Sequence, residues 1–470
     1  MAVARTSGAP PRGGPELNPA IFREYDIRGV AEQDYDAEFA RRLGLGFGTL
    51  VAEAGKRRVS VGRDCRLTSD RYAAALVDGI RATGVDVVDI GVCPTPLMYF
   101  SLFHWGLDGG VQVTGSHNPA DHNGFKICLG TESLHGERIQ DLRRRVEAGR
   151  FRTGAGGCEA RAVVPVYQDW VVEHVGALRR PIDVVVDAGN ATAGPVAPAI
   201  YRRMGASVTE LFCDLDGRFP NHHPDPTIPE NVADLIRTVR ARGATLGIAF
   251  DGDADRIGVV DATGRIVWGD ELLVLYGRDV LERNPGAVIV SEVKCSQRLY
   301  DDIAARGGHA IMWKAGHSLL KAKMRETGAL LGGEMSGHIF FKERYFGYDD
   351  AIYAGARLLE ILARTGRTVG ELLADLPPSH ATPEIRVDCP DDLKFAVAAR
   401  VCERFRADGL PFIDVDGVRV RFPRGWGLLR ASNTQPVLVM RFEAESPEEL
   451  AEYRRTVERA VADARAELGG

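Results

Sequence analysis

Short β-branched runs that stop at Gly or Asp and give way to helical stretches recur along this chain, and that alternation constrains its fold more than any other feature. Examples are VDVVDIG (Val85 to Gly91), IDVVVDAGN (Ile182 to Asn190), TLGIAF (Thr245 to Phe250), AVIVSEV (Ala287 to Val293) and HAIMW (His309 to Trp313). Between them, segments such as SDRYAAALVDGIRATG place apolar residues at helical spacing behind a Ser69 cap. Continuous apolar strands covered by helices predict an α/β protein with largely parallel sheets, whose ligand loops lie beyond the carboxyl ends of the strands. At 470 residues the chain exceeds one core, and about 150 residues per domain suggests about three. After about Leu376 the order changes to a strand (PEIRVDCP), a helix (DDLKFAVAARVCERF), a hairpin (GVRVRFPRGWGLLRAS) and a helix, which predicts a smaller α+β domain beyond a linker near Pro377 to His380.

Composition narrows the partners. A net charge of -6 offers no basic footprint for nucleic acid, and no apolar run reaches the roughly 18 residues of a membrane span. Small molecules are the expected partners. Eight cysteines stand singly, without a C-x-x-C pair or metal-ligand spacing, which fits a reducing cytoplasm. The first residues read as a flexible tail because they lack the apolar region of a signal peptide. A sequon at Asn190 has no meaning in that compartment.

Four polar loops carry the chemistry. After GGVQVTG come Ser116, His117, Asn118 and Pro119, flanked by glycines that allow tight turns and close approach to a ligand. An Asn-Pro turn with a self-bonded serine is the plain alternative. The G-x-S-x-G elbow of an acyl nucleophile is absent. The second loop, DGDADR, sets Asp251, Asp253 and Asp255 at alternate positions after an apolar strand. Three carboxylates this close repel unless a cation lies between them, and hard oxygen ligands favour Mg²⁺ or Ca²⁺. An EF-hand fails, because Arg256 replaces its glycine and Ala262 its glutamate. The third loop, GGEMSGH, holds Glu334, Ser336 and His338 at alternate positions, which would aim them one way on an extended backbone. The fourth, RASNTQP, joins the charged fork of Arg430 to Ser432, Asn433 and Thr434, all able to donate to a phosphate.

TGSHNP, DGDADR, GEMSGH and RASNTQP in this order, with YDIRG near the start and KAGHS, resemble the α-D-phosphohexomutase family, and within it the bacterial phosphomannomutase/phosphoglucomutase branch. The resemblance spans roughly Ile21 to Arg441. It implies three α/β domains of similar topology followed by a smaller α+β C-terminal domain around a central cleft. The implied bounds are 20–162, 163–265, 266–377 and 378–470, after a tail at 1–19.

The resemblance also implies a reaction: interconversion of hexose 6-phosphates and 1-phosphates of mannose or glucose through a phosphoserine and a hexose 1,6-bisphosphate. Ser116 would carry the phosphate, and Mg²⁺ would be held by Ser116, Asp251, Asp253 and Asp255. Arg256 and Arg63 are candidate cations near the transferring group. Lys126 or His117 would take the proton of the attacking hydroxyl, Lys126 being the one the resemblance favours, though only with a lowered pKa. Tyr25, Arg28, Lys294, His317, Glu334, Ser336 and His338 would contact the sugar phosphate, and Arg430, Ser432, Asn433 and Thr434 its distant phosphate. Glucose 1,6-bisphosphate or mannose 1,6-bisphosphate would serve as activator and intermediate, in a monomer or dimer. A phosphoglucosamine mutase is the near rival, although that group usually has Gln at the position of Met335. A haloacid-dehalogenase-like phosphatase, with Asp251 as nucleophile and Asp253 as proton donor, expects Thr or Val in place of Asp255. A phosphosugar sensor without catalysis is the third alternative.

Overall fold

The computed structural model describes residues 17–433 and 435–469. The expected tail therefore lies outside the described residues up to position 16, and Pro19 already opens a short 3-10 turn, Pro19–Ile21.

Three sheets share one strand order. In the first, Arg58–Arg63 is flanked by the parallel strands Asp86–Val92 and Gly109–Val113, and His122–Leu129 runs antiparallel to Gly109–Val113. In the second, Asp183–Asp187 lies between parallel Ser207–Leu211 and Leu246–Phe250, with Ile257–Asp261 antiparallel beyond the latter. The third repeats this with Val288–Glu292, His309–Trp313, Leu331–Gly333 and antiparallel Ile339–Phe341. The sheets are thus mixed rather than wholly parallel. The parallel core arises because helices return the chain over each sheet, and the fourth strand follows too closely for such a crossover and turns back as a hairpin. Each motif loop is the turn of that hairpin.

The fourth sheet is antiparallel throughout, in the order His380–Ala381, Val437–Ala444, Gly425–Ala431, Val418–Phe422 and Phe412–Ile413, with Ile385–Asp388 also on Val437–Ala444. Its motif loop is again a hairpin turn, between Gly425–Ala431 and Val437–Ala444. Helices Lys394–Ala407 and Pro447–Glu467 cover the sheet. Pro447 pre-sets the first helical turn, and Ser446 accepts from the Glu449 amide, a standard N-cap.

Helix Ser69–Arg81 buries Tyr72, Ala73, Leu76 and Ile80, as its periodicity predicts. Ser69 is its first helical residue rather than its cap: Thr68 holds the cap position, and the Ser69 hydroxyl donates to Asp64. The serine is drawn inward because a buried carboxylate needs the donor.

One apolar core runs from Val88 and Phe100 through Tyr201 and Ile248 to Leu362, so the first three units pack on one another. The fourth has its own core around Val401, Leu429 and Val457. It meets the third through Val293, Trp426 and Leu428, and through Arg419, which donates to the carbonyls of Val293 and Cys295 at 2.6 and 2.8 Å. Among the described residues no helix is long and apolar enough to cross a membrane, and all eight cysteines are free thiols.

Candidate active site

The serine loop is held in a strained shape. Ser116 has φ 49, a left-handed conformation that costs a residue with a Cβ and marks an over-determined site. The constraint comes from Arg66, which is buried and donates from Nη2 to the carbonyls of Ser116 and Asn118 at 2.8 and 2.6 Å and from Nη1 to His122 O at 3.0 Å. Asp64 completes the clamp by accepting from Arg66 Nε at 3.0 Å and from the Gly115 amide at 3.1 Å. Sequence reasoning chose Arg63 from the same stretch. Arg63 instead pairs with Asp70 and Asp89, so its charge is already committed.

The serine and acidic loops touch. Ser116 Oγ donates to Asp251 Oδ2 at 3.0 Å and lies 3.2 Å from His117 Nδ1. A Cβ on Gly252 would stand 2.3 Å from Ser116 O, so the approach requires glycine there. Asp251, Asp253 and Asp255 are fully buried, and their ligand oxygens lie within 4.8 Å of one another. Oδ1 of Asp253 and Oδ1 of Asp255 have no hydrogen-bond partner. Buried, convergent and unpaired carboxylate oxygens fit a hard divalent cation.

Lys126 closes this group, donating to Asp253 Oδ2 at 2.7 Å and to Asp255. Burial alone would lower its pKa, but Asp253, Asp255 and Asp251 outweigh burial and hold the ammonium well above the ordinary lysine value. The lowered pKa expected of a lysine base is therefore not set by these neighbours. Burial, with Asp255 and Asp253 beside it, pushes Asp251 well above the usual carboxylate range. Asp253 is lowered despite burial, because Lys126 and Thr95 stabilise its charge. His117 is held well below the ordinary histidine value by burial and then by Arg256, Arg28 and Lys126.

The third loop, GGEMSGH, adjoins the acidic loop, with the Ile257 amide donating to Gly337 O at 3.0 Å and Arg256 Nε to His338 Nε2 at 2.9 Å. Its backbone is a tight turn, not the extended run that alternate spacing suggested. The Glu334 amide donates to His338 O at 2.9 Å across the turn, and Gly337 takes φ 94. Glu334 Oε1 accepts from the Gly316 amide at 2.6 Å, and Ser336 Oγ donates to Glu334 Oε2 at 3.3 Å. Lys294 Nζ pairs with Glu384 at 3.1 Å and with Glu292 at 3.5 Å.

The fourth loop reaches both neighbours. Arg430 Nε donates to Asp416 Oδ2 at 2.8 Å, and the same oxygen accepts from the Ala315 amide at 3.0 Å. Asn433 Nδ2 donates to the Tyr25 hydroxyl at 2.7 Å, which donates to Ala315 O at 2.8 Å. The Tyr25 ring lies edge-on to His317, with centroids 5.8 Å apart. The Gln435 amide donates to Ser432 Oγ at 3.2 Å. Thr434 lies outside the described residues. Arg28 Nη1 donates to Asn118 Oδ1 at 3.0 Å, which ties YDIRG to the serine loop. Arg66, Asp64, Thr95, Glu292 and Asp416 escaped sequence reasoning. Only Arg66 and Asp64 had a local signal, the charged run GRDCR.

A separate cavity of about 470 Å³ lies in the third unit among Leu275, Arg278, Leu281, Arg306 and Arg364. It contains none of the motif residues, and its arginines are paired with Asp302, Asp375, Asp279 and Glu282.

Three sheets of one order and an antiparallel fourth, each carrying a motif loop as a polar hairpin turn, define an α-D-phosphohexomutase. Four family models for phosphoglucomutase/phosphomannomutase match in order: α/β/α domain I over 19–153, domain II over 166–264, domain III over 268–380 and the C-terminal domain over 384–460. The chain is 48% identical over 436 residues to a phosphomannomutase/phosphoglucomutase of Pseudomonas aeruginosa, covering 93% of this chain and 94% of the relative. It is 45% identical over 430 residues to a phosphoglucomutase of Neisseria gonorrhoeae, covering 91% and 93%. The solved structure of a phosphoglucomutase/phosphomannomutase family protein from Burkholderia thailandensis superposes with a TM-score of 0.91 at 46% identity, covering 96% of this chain and 98% of that one. The chain belongs to the phosphoglucomutase/phosphomannomutase family.

Proposed function

We propose that this protein interconverts hexose 6-phosphates and hexose 1-phosphates of mannose and glucose, with Ser116 as the phosphoryl carrier. The observation that supports it most is the buried Ser116 hydroxyl, strained into the left-handed region and 3.0 Å from Asp251, while a buried guanidinium, Arg430, is anchored on another loop by Asp416. One site to exchange a phosphate and one to hold a phosphate suit a mutase better than a hydrolase.

In this reading Arg430, Ser432, Asn433 and Thr434 hold the substrate's own phosphate, and Glu334 and Ser336 take sugar hydroxyls. Tyr25, Arg28, Lys294, His317 and His338 line the path between. The sugar hydroxyl attacks the phosphorus on Ser116, its proton passes to Lys126 or His117, and the Oγ–P bond breaks to leave a hexose 1,6-bisphosphate. The intermediate turns over in the cleft, Ser116 attacks the other phosphate, and the product leaves. Asp251, Asp253, Asp255 and an oxygen on Ser116 would hold Mg²⁺, which when bound would supply charge stabilisation to the transferring group. Arg256 adds a fixed cation beside it. Of the two, His117 is the better-placed base, since its imidazole is kept neutral 3.2 Å from Oγ; Lys126 becomes a base only once its carboxylate partners are neutralised. The contact of Tyr25 with Asn433 closes the first unit onto the fourth and helps exclude water. The enzyme works on free phosphosugars in the cytoplasm, as a monomer or dimer.

Parallel assays with glucose, mannose and glucosamine 1-phosphates test this. Formation of the first two 6-phosphates, stimulated by added glucose 1,6-bisphosphate, is the expected result. Preference for glucosamine would favour the phosphoglucosamine rival. Release of inorganic phosphate alone would make the protein a hydrolase, and binding without turnover would make it a sensor.

A further inference from the structure

Asp349 belongs to none of the four motif loops, yet it is fully buried where two of the site's histidines meet. Its Oδ1 accepts from Lys321 Nζ at 3.0 Å. Its Oδ2 lies 3.1 Å from His338 Nδ1 and 3.6 Å from His317 Nδ1. The two imidazoles are 5.4 Å apart and inclined by only 21°, so both turn the same nitrogen toward one carboxylate oxygen. None of these three atoms makes a well-aligned hydrogen bond, either to one another or to any other described group. The approaches are close but bent, as catalytic contacts often are before a ligand tightens them.

The far side of the His338 ring fixes where its proton sits. Arg256 Nε donates to His338 Nε2 at 2.9 Å. A guanidinium has only donors, so Nε2 must present a lone pair, and the ring proton must be on Nδ1. Nδ1 faces Asp349. Asp255 Oδ1 also stands 3.6 Å from that nitrogen, but it is farther away and belongs to the acidic triad.

We propose that Asp349 is a positioning residue that holds His338 as the Nδ1–H tautomer, keeping its Nε2 as the acceptor that aims Arg256. The inference rests on the mutase reading for its kinetic consequence but not for its geometry. Losing the carboxylate frees His338 to adopt the other tautomer, which places two donors against each other and releases Arg256. The effect falls on the chemical step more than on capture of the distant phosphate, because Arg430 and its loop are untouched.

The test combines nitrogen-15 histidine spectra, assigned with His338→Asn, and kinetics of Asp349→Asn and Asp349→Asn/Lys321→Met. The double variant removes both charges of the buried pair, so it separates positioning from mere balancing of Lys321. Wild type is expected to show the Nδ1–H tautomer at His338. Both variants are expected to lose about 10- to 100-fold in kcat, the range seen when carboxylates that orient functional histidines are removed, with KM little changed. An Nε2–H tautomer at His338 in the wild type would overturn the proposal. So would recovery of wild-type kcat in the double variant. The wild-type spectrum is read without any substrate, so failure of the mutase reading leaves this test intact.

Discussion

Asn433 donates to the hydroxyl of Tyr25 at 2.7 Å across 408 positions of sequence, joining the first unit to the fourth. The same hydroxyl donates to Ala315 O, so one oxygen fastens three units. Tyr25→Phe removes both bonds while keeping the ring on His317. At about 0.5–1.5 kcal/mol per bond, KM for a hexose 1-phosphate should rise by roughly tenfold, with a smaller fall in kcat. Steady-state kinetics give the answer; an unchanged KM means the closure does not depend on this contact.

Ser116→Ala removes the proposed phosphoryl carrier and leaves the Arg66 clamp in place. Mutase activity should vanish with the fold intact, and intact mass should show one phosphate on the wild type and none on the variant. Near-normal turnover by the folded variant would return the chemistry to an aspartate.

Asp255→Asn removes one charge from the acidic triad and one partner of Lys126. The Mg²⁺ concentration for half-maximal activity should rise by at least about tenfold, since each charged ligand contributes strongly to affinity for a hard cation. A chelator should silence the wild type. Activity that survives both treatments sinks the metal assignment.

Arg430→Ala deletes the proposed charge-assisted contact to the substrate phosphate, worth about 1.5–3 kcal/mol, or one to two decades in affinity. KM should rise, some kcat should be lost through misplacement of the sugar, and dependence on added glucose 1,6-bisphosphate should grow as the intermediate escapes. Ser116 should still carry phosphate. If KM, kcat and activator dependence all stay at wild-type values, the fourth loop is a turn and nothing more.

A pH effect follows from Asp350, the N-cap of helix Ala351–Thr365. Burial raises its pKa to about 6, against the pull of Tyr345, the Tyr353 amide and Tyr167. Between about 4 and 6 the folded state then holds a proton that the unfolded state has released, so stability falls as pH rises through this window and is flat above it. Relative to Asp350→Asn, the wild type should gain up to about 1.4 kcal/mol per pH unit as pH falls from 6 to 4. Denaturant melts across that range check the slope, and parallel curves for the two proteins would refute it.

The four loops were readable because each is a short run in which chemistry and spacing are local. What joins them was not. Alternation of Glu334, Ser336 and His338 suggested an extended run, whereas Gly337 in the left-handed region folds them into a turn. Arg63 and Arg66 look equivalent in GRDCR, and only the packing decides that the second clamps the serine loop while the first pairs at the surface. Asp416 meets Ala315 across 101 positions, and no local pattern announces such a contact. The common strand order of the first three sheets was also hidden, since any β-branched run satisfies a buried strand and the apolar pattern carries no record of which neighbour it will pair with.

Each reactive turn is closed by two strands consecutive in the chain, a local event that takes microseconds. The contacts that bring the turns together, Ser116 with Asp251 and Tyr25 with Asn433, span 135 and 408 positions. Such distant contacts form slowly and late in a large chain. A refolding molecule therefore acquires the shape of every reactive turn before it acquires a site, and catalysis returns with docking of the units rather than with the secondary structure.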